Sequence, residues 1–261
     1  MRPNLLMTII LPQLILFQSL TYKNKAATAG SDITISHTPE RRIIQTIGNI
    51  VTPVGFKRTT AYDKSFAMWL RTIRLKNDPT VYLYNGQLKS NQSAQFAVLD
   101  IPVGKKDLQQ CADAVMRLRA QFLYDNSRYG EICFADNNGK KYQYSSSSDE
   151  SFDRYLEKVY SHCGTISLEK QLKKANFQDM QIGDVLITGG SPGHAVIVVD
   201  MAVNRHGKKI YLLAQSYMPA QDMHILKNPL NKELSPWYEV NDKPLIYTPE
   251  WLFKAEELKK W

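Results

Sequence analysis

Three apolar runs in the C-terminal part of the chain have the pattern of buried β-strands. They cover residues 185–187, 195–203 and 210–214, and turn-forming residues separate them. In the middle run both alternating sets of positions are apolar, so neither face of that strand can point to water. The pattern therefore predicts a three-stranded meander whose middle strand is central and covered on both sides.

Helical spacing of apolar residues marks several other segments. The clearest is Asp107–Tyr124, where Asp107 and Gln110 have capping-box spacing and Cys111 falls in the first turn. We also expect helices over the segments 62–75, 152–162, 168–175 and 248–261. The runs 81–84 and 94–101 are rich in β-branched and aromatic residues, so we expect them to pair as strands. Together these elements predict an α+β domain.

The N-terminal segment has the pattern of a secretory signal peptide. Arg2 precedes an apolar stretch that Pro12 and Gln13 interrupt, and Ala27 to Ala29 give a small-residue cleavage pattern. An uncleaved anchor remains the alternative, because polar residues 22–25 separate the two features. We therefore expect a signal segment at 1–29, a polar leader at 30–54 and a single α+β domain at 55–261. The expected location is the periplasm or cell envelope.

The charge of the chain narrows the choice of partners. The formal net charge is +8, and the lysines are spread out without an aromatic-interleaved basic stripe. That pattern argues against nucleic acid as a partner. A solvated surface accounts for the charge, and a preference for peptidoglycan or another anionic envelope polymer is the sharper interpretation. We expect contact with a membrane only through the N-terminal segment, if it stays uncleaved.

Cysteine and histidine positions give no metal-binding pattern. Cys111, Cys133 and Cys163 are an odd number of cysteines for an oxidising compartment, so at least one thiol is left over. We expect Cys111 to stay free and any disulfide to join Cys133 to Cys163. The histidines also lack ligand spacing. We therefore expect no metal and no cofactor.

Four separated stretches resemble the bacterial domain-of-unknown-function family 4846. They read LQQCADAVMRLRAQFL, GGSPGHAVIVVD, LLAQSYMPAQDMHILKNP and SPWY, and they start at residues 108, 189, 212 and 235. The resemblance runs over about residues 55–261. It implies an exported protein, often of the envelope of Bacteroidetes-like bacteria, and it implies no established reaction.

A second resemblance is to papain-like cysteine hydrolases of the bacterial wall, of the NlpC/P60 and CHAP type. Those enzymes place a cysteine at a helix start, before a strand that opens with Gly-Asp and apolar residues. Here the matching pieces are Cys111, the run Gly183–Leu186 and the run Gly193–Ile197. The resemblance implies a papain-like (NlpC/P60-like) α+β domain in which a helix carrying Cys111 packs on an antiparallel sheet.

The chemistry that this pattern suggests is nucleophilic attack by a thiol. A helix N-terminus lowers the pKa of a thiol, so Cys111 is the candidate nucleophile and His194, at a strand start, is the candidate base. If the turn at 204–207 is symmetric, paired residue numbers sum to about 411. That register places Tyr217 opposite His194 and Gln215 on the diagonal, as the residue that orients the imidazole. The alternatives are a small buried cysteine and a histidine that only closes a turn.

Four further residues are candidates for substrate binding. Tyr217, Gln221, Trp237 and Tyr238 follow the meander and could line a groove for sugar or peptide, or simply pack the C-terminal segment. Our leading interpretation is a papain-like cysteine hydrolase or acyltransferase that acts on peptidoglycan peptide or another amide. The alternative is a non-catalytic envelope protein that binds glycan, peptide or a partner on the same scaffold.

Overall fold

A nine-stranded antiparallel sheet forms the centre of the structure, a computed structural model that describes residues 45–261. The main path through it runs β2-β9-β8-β7-β6-β13-β5, with β1 pairing to β7 and β10 to β8. Two small hairpins, β3-β4 and β11-β12, lie outside it. The strands are β1 Phe56–Arg58, β2 Gln95–Val98, β3 Cys133–Ala135, β4 Lys141–Gln143, β5 Lys173–Lys174, β6 Val185–Thr188, β7 His194–Asn204, β8 Lys209–Gln215, β9 His224–Leu226, β10 Tyr238–Glu239, β11 Leu245–Tyr247, β12 Leu252–Lys254 and β13 Leu258–Lys260.

The helices are α1 Phe66–Thr72, α2 Cys111–Asp125, α3 Phe152–His162 and α4 Thr165–Gln171. Three of them pack against strands of the structure, the longest, α2, against β7, and the other helix, α3, packs on α2. The protein is therefore a mixed α+β fold with a large antiparallel sheet, as the sequence predicts at that level. In residues 45–261 no helix is long and apolar enough to cross a lipid bilayer.

The predicted meander is confirmed as β6, β7 and β8. Strand β7 is covered on both faces: Ala195, Ile197 and Val199 face the core formed with α2, whereas Val196 and Val198 face a second core. All five residues are at most 1% exposed. A strand without a polar face needs apolar layers on both sides, which explains its central position.

A β-bulge at Val199 sets the register at the start of β7. Near the turn the paired residue numbers sum to 412, as for Ala202 and Ile210, but beyond the bulge they sum to 411, as for Ile197 and Ala214. One extra residue on one strand changes which side chains oppose each other. The bulge thus brings Tyr217 and Gln215, rather than Met218 and Ser216, to the level of His194.

A buried carboxylate ties α1 and β1 to the sheet. Asp200 on β7 is fully buried and accepts hydrogen bonds from Nε of Arg58 over 2.7 Å and from Nε of Arg71 over 2.6 Å. Arg71 also donates to the backbone oxygens of Thr59 and Met201. Two guanidinium groups compensate the desolvation of one carboxylate here. Asp200 therefore has a structural role.

Several predicted boundaries and pairings are wrong. Helix α2 begins at Cys111, because Asp113 rather than Asp107 caps it, with Oδ2 accepting from the backbone N–H of Gln110 over 3.0 Å. The segment 94–101 does not pair with 81–84, since β2 pairs with β9 while 81–84 forms only isolated bridges. Helices α1 and α4 are shorter than predicted.

The predicted C-terminal helix over 248–261 is also wrong. This segment contains β12, a short 3-10 turn and β13, and β13 pairs with both β6 and β5. Phe253 and Leu258 are fully buried in the second core. Backbone hydrogen bonds to β6 and burial of Phe253 and Leu258 in this core stabilise the strands more than the helical spacing of the apolar residues favours a helix.

The predicted leader at 30–54 lies only partly within the described residues. The predicted signal segment 1–29 and the leader up to residue 44 lie outside the described residues. The rest of the leader contributes to the core, because Ile47 and Ile50 are at most 1% exposed and Thr46 forms a β-bridge with Arg74.

Candidate active site

The imidazole of His194 lies in a network of buried polar side chains at the start of β7. Its Nε2 is 2.9 Å from Oε1 of Gln215 on the neighbouring strand. Nε2 of Gln215 lies 2.7 Å from Oε2 of Glu250, and Glu250 forms an ion pair of 2.7 Å with Lys89. The predicted contact between His194 and Gln215 is present, and it continues into a buried ion pair.

Glu250 determines how the Gln215 amide is turned. A carboxylate only accepts, so the amide must place its NH₂ towards Glu250 and its oxygen towards His194. Nε2 of His224 lies 3.3 Å from the same NH₂ group, and Nδ1 of His224 lies 2.9 Å from the backbone oxygen of Asp222. His224 therefore holds its proton on Nδ1 and accepts at Nε2, which favours the same amide orientation.

This orientation selects one tautomer of His194. Because Oε1 of Gln215 accepts, Nε2 of His194 carries the proton and Nδ1 has a free lone pair. Nδ1 is buried and has no hydrogen-bond partner within the described residues. A buried nitrogen without a partner costs free energy, so its persistence points to a role outside the resting hydrogen-bond network.

Cys111 is the first residue of α2 and lies beside the start of β7. Backbone N–H groups of Ala112 and of Ala195, the residue after His194, lie close enough to the thiol to lower its pKa. The first N–H groups of a helix also have no intrahelical acceptors. Cys111 therefore lies beside the backbone of β7, on the face to which Ala195 points. The ring of His194 points to the other face, where it stacks on Phe253 of the second core.

A cavity of about 510 Å³ opens beside this thiol. The starts of α2 and α4, the glycine-rich turn 189–193 and Met218 surround it, and Cys111, Asp113 and Tyr160 line it. A volume of this order is within the range of small-ligand sites. Cys111 lines this cavity, although it is only 4% exposed, whereas His194 does not line it.

The glycine-rich turn packs tightly on the start of α4. A Cβ atom at Gly193 would come within 2.4 Å of Oγ1 of Thr165 and 2.7 Å of the backbone oxygen of Gly190. Neither atom has room to retreat, because Thr165 Oγ1 donates to that same oxygen. Only glycine fits at this position, directly before His194.

His194 is completely enclosed by the protein. The glycine-rich turn does not leave it open: the ring is 0% exposed, and the rings of Tyr217, Trp251 and Phe253 lie 4.8, 5.4 and 5.7 Å from it, centroid to centroid. Burial lowers the pKa of His194 to about 4, against the opposing effect of the Gln215 hydrogen bond. The imidazole is therefore neutral at neutral pH.

The thiol is also neutral in the resting protein. Burial raises the pKa of Cys111 to about 11, and the helix N–H groups only partly offset it. The expected lowering by the helix N-terminus is thus wrong, because desolvation of the thiolate is the larger effect. Burial also raises the pKa of Asp113 well above its ordinary value, and the negative charge of Asp113 contributes to the raised pKa of Cys111.

Family membership comes from a comparison of the sequence with protein-family models. A family described as Domain of unknown function (4846) matches residues 47–149 and 145–260. Together these stretches cover most of the chain. The chain belongs to this family. No curated protein and no solved structure is detectably similar to it.

In this member of family 4846, the predicted substrate-binding residues do not lie together. Tyr217 is half-buried and stacks edge-on against His194. Gln221 is buried beside Ser216, whose hydroxyl donates to its backbone oxygen over 2.9 Å. Trp237 and Tyr238 are buried near β10, and Tyr238 pairs with Tyr211, four residues along β8 from Gln215 or about 13 Å. The structure therefore brings only Tyr217 to His194.

Two charged residues beside His194 and Gln215 were not predicted. Glu250 and Lys89 come from distant loops, and nothing in their local sequence links them to His194. One general argument could have indicated an acidic residue. A glutamine that orients a histidine through its oxygen needs an acceptor for its NH₂ group, and a carboxylate can supply it.

All three cysteines are free thiols. Cys111 and Cys163 are buried and Cys133 is partly buried. No disulfide joins Cys133 to Cys163 in this structure. Within residues 45–261 no cluster of three or more histidine, cysteine or acidic side chains is placed to hold a metal ion.

Proposed function

We propose that this protein is a cysteine-dependent hydrolase or acyltransferase that acts on an amide, with a papain-like arrangement of Cys111, His194 and Gln215. The observation that carries the proposal is the tautomer of His194. Its Nδ1 is unprotonated and has no partner among the described residues, and the backbone N–H of the next residue, Ala195, lies close to the thiol of Cys111. A base that receives a thiol proton needs this state.

The first step forms a thioester. It requires Nδ1 of His194 and Sγ of Cys111 to come together first, because the two side chains lie on opposite faces of β7 in the resting protein. The Cys111 thiol then gives its proton to Nδ1 of His194 while Sγ forms a bond to the carbonyl carbon. The carbonyl oxygen becomes an oxyanion, which the free N–H groups at the start of α2 stabilise. The imidazolium then protonates the amide nitrogen, the C–N bond breaks and an amine leaves.

The second step releases the acyl group. Water, or an acceptor amine, gives a proton to Nδ1 of His194 and attacks the thioester carbon. The C–S bond breaks, and the proton returns to the leaving thiolate. Gln215 keeps the imidazole in position throughout, because its oxygen accepts a hydrogen bond from Nε2–H in both the neutral ring and the imidazolium.

The proposed substrate is a peptide of the cell envelope, with peptidoglycan peptide as the specific class. Support comes from the signal-peptide pattern before residue 30 and from the likeness to wall hydrolases in the order of Cys111, the Gly-Asp strand and His194. The 510 Å³ cavity beside Cys111 is large enough for a few peptide atoms on either side of a scissile bond.

Acyl-enzyme trapping tests this proposal. The full chain is incubated with p-nitrophenyl acetate, and the acylated residue is located by mass spectrometry. We expect rapid acetylation of Cys111 that His194→Ala abolishes and Cys163→Ser leaves unchanged. Cleavage of muropeptides is then scored with the same variants. Acetylation of Cys111 no faster than that of Cys163 would contradict the proposal.

A non-catalytic binding protein on the same scaffold is the second candidate. The raised pKa of Cys111 and the complete burial of His194 favour it, because a resting thiolate–imidazolium pair is not formed. A binding protein would bind muropeptides without cleaving them, and Cys111→Ala would bind them equally well. The trapping experiment separates the two functions.

A further inference from the structure

A second cavity, of about 430 Å³, lies between α2 and α3. Residues of the loop before α2 form one side, including Lys105, Lys106 and Gln109, and Arg117 and Tyr160 project from the two helices. It shares Leu108 and Tyr160 with the cavity beside Cys111. The two cavities are therefore neighbours with a common wall.

Three side chains that line the second cavity each have a buried donor atom without a hydrogen-bond partner among the described residues. The three atoms are Nε2 of Gln109, Nε of Arg117 and the hydroxyl oxygen of Tyr160. Gln109 is only 1% exposed, and its Oε1 accepts from Nη1 of Arg117 over 2.9 Å, which directs its NH₂ group away from the guanidinium. Unpartnered buried donors on three side chains of one cavity form a site for an acceptor.

The donors and the charge of the cavity define the acceptor. Three basic side chains, Lys105, Lys106 and Arg117, and two acidic ones, Asp153 and Glu157, line it. Glu157 is paired with Lys106 over 2.7 Å. One net positive charge remains, which a single negative charge neutralises, and a guanidinium with an adjacent amide matches the two oxygens of a carboxylate.

We propose that this cavity binds the carboxylate of an organic monoanion, such as the C-terminus of a short peptide. Arg117 and Gln109 hold one carboxylate oxygen each, and the hydroxyl of Tyr160 donates to the oxygen nearer to Cys111. Burial raises the pKa of Tyr160, so the hydroxyl keeps its proton. The site stands without the proposed function, because no contact in it involves the thiol.

A titration of the full chain with N-acetylalanine, followed by NMR, tests the site. N-acetylalaninamide is the uncharged control, and inorganic phosphate is the control for a different anion. We expect N-acetylalanine to bind at least about tenfold more tightly than either control, since a charge-assisted hydrogen bond contributes on that order. Equal binding of acid and amide, or tighter binding of phosphate, overturns the proposal.

Variants locate the bound carboxylate. Arg117→Gln and Tyr160→Phe should each weaken the binding of N-acetylalanine by about tenfold or more. Arg119→Gln, two residues further along α2 and packed on the rings of Phe66 and Trp261, is the matched control and should bind as the wild type does. Tyr160→Phe keeps the ring and removes only the hydroxyl beside Arg117, and the NMR spectrum of the unliganded variant checks that the fold is retained. Unchanged binding by Tyr160→Phe would place the ligand elsewhere and overturn the proposal.

Cys111→Ala keeps this test separate from the proposed reaction. The variant lacks the nucleophile but keeps every donor of the carboxylate cavity. We expect it to bind N-acetylalanine as the wild type does, even if acylation is absent in both proteins. Loss of binding in Cys111→Ala would overturn the assignment to the cavity between α2 and α3.

Discussion

Oε1 of Gln215 lies 2.9 Å from Nε2 of His194, and both side chains are at most 2% exposed. In so buried a pair the hydrogen bond has no competition from water, so the amide determines where the imidazole proton resides. The amide in turn follows Glu250, 2.7 Å away. The protonation of the candidate base is therefore set by a residue that does not touch it.

Loss of the acceptor at position 250 should change the tautomer of His194. In Glu250→Met, no carboxylate holds the NH₂ of Gln215, so the amide can turn over and move the imidazole proton to Nδ1. We expect acylation of Cys111 to fall by as much as about a hundredfold. The nitrogen chemical shifts of His194, measured by NMR, should report the proton transfer directly.

Glu250→Gln is the matched control for that variant. It keeps an acceptor oxygen for Gln215, while Lys89, 5% exposed, loses its charge partner in both variants. The two variants should therefore lose similar stability, and only Glu250→Met should change the tautomer. An unchanged tautomer in Glu250→Met would show that Gln215 is held by other contacts.

The stability of the protein should fall in mild acid because of its buried histidines. Burial lowers the pKa of His194 to about 4 and that of His224 to about 3. Between about pH 6.5 and 4 the unfolded chain binds protons that the folded chain excludes, so the free energy of unfolding decreases as the pH falls.

Asp184 has the opposite effect on the pH dependence of stability, so a variant at this position serves as a control for the histidines. Burial raises its pKa to about 6, so the contribution of Asp184 to stability is lost as the pH rises through that value. Asp184→Asn should therefore show a steeper loss of stability than the wild type between pH 6 and 4 in urea unfolding. Parallel curves for the two proteins would mean that Asp184 titrates normally.

The ion pairs of Asp200 should matter far more than those of a surface aspartate. Asp200→Asn leaves Arg71 buried with an uncompensated charge, which costs about 3–5 kcal/mol of unfolding free energy. Asp100→Asn is the control, since its 4.0 Å pair with Arg74 is exposed and contributes at most about 1 kcal/mol. Equal stability of the two variants in urea unfolding would contradict the structural role of Asp200.

Two tyrosines on α3 should respond oppositely to loss of the hydroxyl. The hydroxyl of Tyr155 donates to the backbone oxygen of Tyr142 over 2.9 Å, whereas that of Tyr160 has no partner. Tyr155→Phe should destabilise the protein by about 1 kcal/mol, and Tyr160→Phe should be neutral or stabilising. Thermal unfolding of both variants measures the difference, and a loss of stability in Tyr160→Phe would reveal a partner for that hydroxyl.

The sequence predicts the central strands because their side chains are almost all buried, and a strand that is apolar on both faces has one suitable place in a sheet. It predicts helix α2 but not its start, because Asp107 and Asp113 both have capping-box spacing from Gln110 and only the structure shows that Asp113 makes the bond. The contact between His194 and Gln215 also follows from hairpin geometry. It depends, however, on the bulge at Val199, and no feature of the residues 198–200 predicts that bulge.

The remaining parts of the site depend on contacts between distant segments. Glu250 and Lys89 are 161 positions apart, and their ion pair forms only because the loops before β2 and β12 meet at Gln215. The segment 248–261 has helical spacing, yet β6 offers it a free hydrogen-bonding edge. Local patterns contain no information on which edge remains free once the rest of the sheet has formed.

The position of β13 in the sheet imposes an order on assembly. It lies between β5 and β6, although the ribosome makes both of those strands more than sixty residues before it. Until residues 258–260 emerge, β6 presents unpaired backbone groups to its surroundings, and such an edge recruits other strands. A newly made chain can therefore pair with other chains through β6 until β13 has been synthesised, and β13 then covers that edge.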